Sequence, residues 1–266
     1  MTQLRGIIAT DMDGTLLTPN GDIPPTFWEL THELHAEGWV VVPASGRQLQ
    51  TLSAQFDQLD ELNIIAENGA VVAHNGQIIS TTSLDVRAAA AVVDAFNELE
   101  APGGVVVCRP DAAFTAHTDQ DFLANCQPYY QALHQVDDIN AYLDDSVVKI
   151  AIYSNIPVEQ RIASTLVDIA EPALKMAISG QHWIDFMNPQ VNKGKALRAL
   201  ATKLEVDIAN TIAFGDFLND YELLETAGTA YAMDNAHPKL KAIADEVIGS
   251  NEQHAVITTL QQLLTP

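Results

Sequence analysis

Short apolar segments alternate with helical segments along most of the chain, and this alternation limits the folds available to it. The segments RGIIATD (residues 5–11) and WVVVPASG (residues 39–46) are apolar runs that stop at polar residues, as buried strands do. Between them, residues 25–38 show a helical pattern, with Pro25 near the first turn and Gly38 after the last. Strands that alternate with helices favour a parallel, doubly wound sheet, so we predict an α/β fold with a Rossmann-like core.

The pattern changes at about residue 84 and resumes at about residue 189. Residues 84–188 carry strands and helices of their own, which we interpret as a second α/β domain inserted into the first. The sequence therefore predicts a core formed by residues 1–83 and 189–266, interrupted by an inserted domain at residues 84–188.

Turn and helix signals give further local predictions. The Asn75-Gly76 pair lies between two apolar segments and predicts a type I′ hairpin turn. Inside the insertion, helices are predicted over residues 119–133 and from Pro157 onward. After a strand that ends at Asp234, a final helix is predicted to close the chain.

The chain is strongly acidic, and this charge bears on its partners. It has 35 Asp and Glu residues against 13 Lys and Arg residues, a formal net charge of -22. Nucleic-acid binding depends on basic side chains that neutralise phosphates, so we expect no nucleic-acid partner. An anionic membrane surface is disfavoured for the same reason. The most apolar helical segment, residues 84–100, contains Arg87 and Asp94 and is too short to span a bilayer.

The two cysteines, Cys108 and Cys126, form neither a disulfide framework nor a zinc-site spacing. We expect two free thiols in a reducing compartment. The N-terminal segment lacks the pattern of a signal peptide, because Asp11 and Asp13 interrupt its apolar run. The cytoplasm is therefore the expected location, and the sequence leaves a monomer and a homodimer open.

Four polar clusters fall at predicted strand ends or helix starts. Asp11 and Asp13 follow the first strand, residues 45–47 follow the second, and residues 216–220 follow a late strand. Lys193 begins a helix where the core pattern resumes. Ligands of open α/β sheets bind beyond the carboxyl ends of the strands, so we expect these clusters to form a single site.

The aspartates of these clusters indicate a metal site with a carboxylate nucleophile. If Asp11, Asp13 and Asp216 converge, their like charges repel and raise one another's pKa, which a divalent cation relieves. An all-oxygen ligand set with room for water and phosphate suits Mg²⁺ better than zinc. A carboxylate can also attack phosphorus to form an aspartyl-phosphate, while a second acid protonates the leaving alcohol and then helps activate water.

Phosphoryl transfer also requires donors and positive charge around the phosphoryl oxygens. The Ser45 hydroxyl, the Gly46 backbone N–H and the Lys193 ammonium are groups of this kind. Gly46 allows the backbone to approach a phosphate closely. Gly14 and Thr15 fit a turn that brings Asp13 back over the site.

The motifs DMDGTL, ASGR, NKGKAL and GDFLND, in this order and spacing, resemble those of the haloacid dehalogenase-like phosphatases. The chain is most similar to the Cof-type subfamily, in which an α/β cap of type IIB lies between the second and third motifs. The resemblance covers almost the whole chain, including ENGA at residues 67–70 and AMDNAHPKLKAIAD at residues 232–245.

This resemblance implies a role for most of the polar residues. Asp11 would be the nucleophile and a metal ligand, and Asp13 would be the acid/base, with its backbone carbonyl on Mg²⁺. Asp216 would be a metal ligand, and Asp220 would support the metal or Lys193. The phosphoryl group would be held by a set of five residues: Met12, Ser45, Gly46, Lys193 and Asn219. Arg47 is either a substrate contact or a charge on a helix face.

We therefore predict a Mg²⁺-dependent phosphatase that acts on small phosphorylated metabolites. A phosphomutase or phosphotransferase would share the first half-reaction and then pass the phosphoryl group to a second hydroxyl. A non-catalytic module that binds a phosphometabolite, or is itself phosphorylated on Asp11, is the alternative from a different class. Asp13 argues against this module, because a long-lived aspartyl-phosphate has no use for a neighbouring acid/base.

Overall fold

The computed structural model describes residues 4–158, 162–179 and 181–264. Its strands are β1 Gly6–Thr10, β2 Trp39–Pro43, β3 Asn63–Ala66, β4 Val71–His74, β5 Gln77–Thr81, β6 Gly103–Cys108, β7 Ala113–Thr115, β8 Leu133–Gln135, β9 Lys149–Ser154, β10 Lys175–Ile178, β11 Trp183–Met187, β12 Thr211–Gly215, β13 Thr229–Met233 and β14 Glu246–Ile248. Its α-helices are α1 Thr26–Ala36, α2 Leu49–Gln55, α3 Val86–Glu98, α4 Gln120–Cys126, α5 Ile162–Ala170, α6 Lys193–Lys203, α7 Tyr221–Thr226, α8 Pro238–Lys241 and α9 Ala255–Leu264.

The described residues form two compact units, each with most of its residue contacts inside itself. Within the described residues, the first unit comprises residues 4–45, 55–80 and 192–264, and the second comprises residues 46–54, 81–158, 162–179 and 181–191. The predicted domain boundaries at residues 84 and 188 remain a prediction.

The first unit is built on a parallel sheet with the strand order β14-β13-β12-β1-β2. Every residue of β1, β2 and β12 is buried, as expected for strands of a parallel sheet that is covered on both faces. The prediction of an α/β fold with a parallel core sheet is confirmed. Because all five strands run in one direction, the residues that follow β1, β2 and β12 lie at the same edge of the sheet.

The helices of the first unit follow from the apolar periodicity of their sequences. Helix α1 buries Phe27, Leu30 and Leu34 on one face and packs against α9. It ends before Gly38, whose φ of +84° suits glycine after a helix. Helices α6 and α7 pack against each other.

Residues 63–81 form a second, small sheet with the order β3-β4-β5. Asn75 and Gly76, between β4 and β5, have φ of +49° and +73°. Two consecutive positive φ values are required by a type I′ turn, so the predicted hairpin is confirmed. A parallel bridge between Ala44 and Ile65 joins the end of β2 to β3.

The second unit contains a sheet with the order β10-β11-β9-β6-β7-β8, antiparallel except for the β7–β8 pair. Helices α3 and α5 pack together over a core formed by residues such as Val92, Phe96, Ile150, Leu166 and Phe186. Across the described residues, none of the helices has both the length and the apolar character needed to cross a membrane.

Some local predictions differ from the structure. The helix predicted over residues 119–133 is wrong beyond Cys126, because Pro128 cannot continue a helix, and residues 133–135 form strand β8. The C-terminal part holds the short strand β14 and helix α8 as well as the final helix α9. Of the helix predicted from Pro157, residues 159–161 lie outside the described residues, and α5 accounts for residues 162–170.

Candidate active site

Asp11 lies at the point where the central strand β1 ends. Its backbone N–H still pairs with the carbonyl of Phe214 on β12, at 3.0 Å, so the sheet fixes its position. The residue is only 6% exposed. Beyond it, the chain makes a wide turn in which the Leu16 N–H bonds to the Asp11 carbonyl and the Leu17 N–H bonds to the Met12 carbonyl.

This turn packs against Asp216. An ideal Cβ on Gly14, which has a φ of +80°, would lie 2.3 Å from Oδ2 of Asp216, so glycine is required for both conformation and space. The Thr15 hydroxyl donates to Oδ1 of Asp216 at 3.3 Å, a contact that the sequence did not predict. Asp13 is exposed on the turn, and Met12 is fully buried.

Lys193 is the first residue of α6 and is completely buried. Its Nζ donates to Oδ1 of Asp11 at 2.5 Å and to Oδ1 of Asp220 at 2.6 Å. Asn192 caps the helix by accepting a hydrogen bond from the Lys195 N–H at 2.7 Å. Lys195, two residues further along the helix, is exposed.

Asp220 connects this lysine to the loop after β12. Its Oδ2 accepts hydrogen bonds from the backbone N–H groups of Asp216 at 3.1 Å and Phe217 at 3.3 Å, while its Oδ1 accepts from Lys193. Both carboxylate oxygens of Asp220 therefore accept hydrogen bonds.

The carboxylates of Asp11, Asp216 and Asp220 form a potential cation site. Each offers an oxygen, and these oxygens lie within 4.8 Å of one another. Hard oxygen donors of this kind suit Mg²⁺. These three residues are among the four predicted metal ligands, and their role as ligands remains a prediction. Asp13 is the fourth predicted ligand. It would bind the metal through its backbone carbonyl, and this role also remains a prediction.

The charges of this cluster are unbalanced, because three carboxylates surround one ammonium. Burial, and then repulsion from Asp220, raise the pKa of Asp11 well above its usual range, although Lys193 opposes this. Burial and the same repulsion raise the pKa of Asp216 to about 7. Burial lowers the pKa of Lys193, but the carboxylates of Asp11 and Asp220 outweigh it and raise that pKa. A divalent cation would relieve the excess of negative charge.

Ser45 and Asn219 are linked through Asn68. The Asn68 N–H donates to the carbonyl of Ser45 at 3.0 Å, and Nδ2 of Asn219 donates to Oδ1 of Asn68 at 3.3 Å. Ser45 and Asn219 were predicted from their motifs. Asn68 was quoted only within the ENGA motif, and nothing in its residue type indicated this contact.

Gly46 and Arg47 belong to the second unit. The Gly46 carbonyl accepts a hydrogen bond from Nζ of the buried Lys149 at 2.8 Å, a contact that no sequence signal indicated. The Arg47 guanidinium donates to the Pro128 carbonyl at 3.4 Å and lies 5.4 Å from the ring centre of Tyr129. A contact between Arg47 and substrate stays a prediction.

The chain is similar to known proteins along nearly its whole length, and these similarities identify its family. The model of the haloacid dehalogenase-like hydrolases matches residues 8–260. A 5-amino-6-(5-phospho-D-ribitylamino)uracil phosphatase of Escherichia coli is 28% identical over 264 residues, which cover 97% of this chain and 96% of that protein. An HMP-PP phosphatase of Cronobacter sakazakii is 28% identical over 252 residues, covering 93% of this chain and 92% of that protein.

A solved structure supports the fold. A protein named as a HAD subclass IIB sugar phosphatase has a TM-score of 0.80 and 17% identity, and the match covers 97% of this chain and 98% of that one. At this identity the likeness shows the fold alone. The family match over nearly all of the chain, and relatives that are named as phosphatases, confirm the family and the enzyme class that the four motifs predicted. The chain belongs to the haloacid dehalogenase-like hydrolases.

Proposed function

We propose that this chain is a Mg²⁺-dependent phosphatase that hydrolyses small phosphate monoesters through an aspartyl-phosphate on Asp11. The observation that carries the proposal is the buried Asp11 carboxylate, which lies 2.5 Å from the Lys193 ammonium and close to the carboxylates of Asp216 and Asp220. A carboxylate fixed at a strand end, beside a cation and a potential metal site, is arranged to attack phosphorus.

In the first half-reaction, a carboxylate oxygen of Asp11 forms a bond to phosphorus as the bond between phosphorus and the alcohol oxygen breaks. Lys193 favours the ionised, nucleophilic form of Asp11 through its ammonium. Asp13 donates its proton to the departing alcohol. Its exposed position on the turn after Asp11 is compatible with access to the leaving group.

In the second half-reaction, Asp13 accepts a proton from water, and the water oxygen bonds to phosphorus. The bond between Asp11 and phosphorus breaks, which releases inorganic phosphate and restores the carboxylate. The two aspartates thus have different roles because Asp11 is buried beside Lys193 while Asp13 is exposed.

The phosphoryl oxygens require donors in both steps. We assign this role to the Lys193 ammonium, the Ser45 hydroxyl, the Asn219 amide and the backbone N–H groups of Met12 and Gly46. Asp11, Asp216 and Asp220, with the Asp13 carbonyl, would hold Mg²⁺, which supplies positive charge that offsets the carboxylates and polarises the phosphoryl group.

The proposal is tested by measuring free phosphate released from a panel of esters, with Mg²⁺ and with excess chelator. The panel contains sugar phosphates, flavin mononucleotide, pyridoxal phosphate and 5-amino-6-(5-phospho-D-ribitylamino)uracil, the compound for which one relative is named. We expect metal-dependent release that Asp11→Asn abolishes, while Asp57→Asn, at an exposed position in the same unit, retains it.

Other outcomes identify the alternatives. Transfer of the phosphoryl group to a second sugar hydroxyl, without free phosphate, would indicate a mutase or phosphotransferase. A stable phosphorylated chain would indicate a regulatory module. Unchanged phosphate release by Asp11→Asn would contradict the proposed nucleophile.

A further inference from the structure

The turn at residues 67–69, here called the ENG turn, has an unusual backbone. Glu67, Asn68 and Gly69 have consecutive positive φ values of +51°, +56° and +99°. Left-handed conformations at residues other than glycine are uncommon and persist where the surrounding structure holds them. The turn connects β3 to β4, and the Ala70 N–H closes it on the Glu67 carbonyl at 3.0 Å.

The ENG turn holds the backbone of Ser45. The Asn68 N–H donates to the Ser45 carbonyl at 3.0 Å, and the Ser45 N–H donates to the carbonyl of Ile65, in the strand just before the turn, at 2.9 Å. The β3–ENG segment therefore binds Ser45 through both of its backbone polar groups. This arrangement fixes the direction in which the Ser45 side chain leaves the backbone.

The side chain of Asn68 holds Asn219. Its Oδ1 accepts a hydrogen bond from Nδ2 of Asn219 at 3.3 Å, and the Asn68 residue is only 5% exposed. A carboxamide nitrogen carries two hydrogens, so Asn219 keeps a second donor after it makes this bond. Asn68 thereby orients the amide that we assign to the phosphoryl group.

Gly69 lies against the start of helix α6. An ideal Cβ at this position would meet the carbonyl oxygen of Asn192 at 2.5 Å and the backbone nitrogen of Lys193 at 3.1 Å. Only a residue without a side chain allows this approach. The ENG turn therefore touches the backbone that carries Lys193 as well as Ser45 and Asn219.

We propose that the ENG turn is the positioning element that sets the three phosphate-binding side chains of the first unit, with Asn68 as the positioning residue for Asn219. The proposal rests on the proposed phosphatase function, because it concerns the same phosphoryl group. Asn68 acts through Asn219 and Ser45 and is not itself assigned a contact with substrate.

The chain offers an internal comparison for this proposal. Asn75 also has a left-handed backbone, with φ of +49°, but it lies in the exposed hairpin turn between β4 and β5. Its carboxamide contacts the neighbouring His74 ring at 3.4 Å and none of the proposed site residues among the described contacts. If the ENG turn only connected β3 to β4, a substitution of Asn68 would change the activity as little as a substitution of Asn75.

The test uses Asn68→Gly, with Asn75→Gly as its matched control. Glycine accepts a positive φ and keeps the N–H that binds Ser45, so Asn68→Gly removes the side-chain bond to Asn219 and should fold. Thermal unfolding verifies this. For each variant, kcat and KM are measured on the best ester of the panel, together with inhibition by inorganic phosphate.

We expect Asn68→Gly to lower kcat/KM and to weaken phosphate inhibition by about three- to tenfold, the effect of one lost hydrogen bond, while Asn75→Gly matches the wild type. The double variant Asn68→Gly/Asn219→Ala should be no worse than Asn219→Ala alone, because the Asn68 side chain acts through Asn219.

Two results would overturn the positioning role while the phosphatase stands: an unchanged Asn68→Gly enzyme, or losses from Asn68→Gly and Asn219→Ala that multiply in the double variant. A wild-type chain that hydrolyses no ester and binds no phosphate would instead overturn the proposed function, and the positioning role with it.

Discussion

Replacing Lys193 with methionine tests whether one buried ammonium holds the aspartates of the site together. Methionine has a similar length, so the change removes the charge with little change of volume. Lys193 is 0% exposed and contacts carboxylates of Asp11 and Asp220 at 2.5 and 2.6 Å. Its loss leaves these carboxylates buried without their cation.

The expected cost follows from the burial of this pair. Removing one partner of a buried ion pair destabilises a protein by about 3–5 kcal/mol. For a chain of this size, each kcal/mol lowers the unfolding temperature by roughly 2–4 °C, so Lys193→Met should unfold about 6–20 °C lower than the wild type. Because its carboxylate partners raise the pKa of Lys193 above 10.5, the ammonium stays charged and its full contribution is present at neutral pH.

Calorimetry in the presence of chelator measures this difference, and Lys195→Met is the matched control. Lys195 lies two residues along the same helix and is exposed, so its loss should change stability by no more than about 0.5 kcal/mol. The double variant Lys193→Met/Asp220→Asn should lose less than the sum of its single variants, because both changes disrupt one interaction. An unfolding temperature for Lys193→Met within about 2 °C of Lys195→Met would refute this reasoning.

Three further predictions concern other residues. Gly14→Ala should lower metal-dependent activity by about tenfold or more, because its Cβ would displace Asp216, whereas Gly21→Ala, with a similar φ of +84° and open space around it, should keep the activity. Equal activity of the two variants would contradict the close packing on Asp216. Mg²⁺ should raise the unfolding temperature of the wild type more than that of Asp216→Asn, as a titration in calorimetry would measure; an equal rise would place the ion elsewhere. Both cysteines are buried, and burial raises the pKa of Cys126 to about 12, so a thiol reagent should modify Cys108 and Cys126 only after denaturation. Rapid modification of the folded chain would contradict this burial.

The site was predictable where residues follow strand ends. Asp11 follows β1, Ser45 comes shortly after β2, and Asp216 follows β12; these strands are parallel, so their ends meet at one edge. Lys193 was found by its place at the start of a helix. These predictions needed only the strand–helix alternation and the residue types.

Contacts that depend on tertiary packing were not predictable in this way. Lys149 is the first residue of strand β9, where the sequence pattern indicates no partner for it, and only the folded chain brings its Nζ to the Gly46 carbonyl. Asn68 follows β3, and its bond to Asn219 joins residues 151 positions apart. The missed strand β14 has only three residues, none of them buried, so it lacks the apolar run that marked the central strands.

The proposed mechanism requires an aspartyl-phosphate on Asp11, and this intermediate can be trapped. We would mix Asp13→Ala with Mg²⁺ and p-nitrophenyl phosphate, whose leaving group departs without protonation, quench with acid and determine the mass of the peptide that contains Asp11. Without Asp13 to activate water, the second half-reaction is slowed, so the proposed mechanism predicts a peptide heavier by one phosphoryl group, which should be absent from Asp11→Asn/Asp13→Ala. Release of nitrophenol and free phosphate at equal rates, with no phosphorylated peptide at any time, would contradict it.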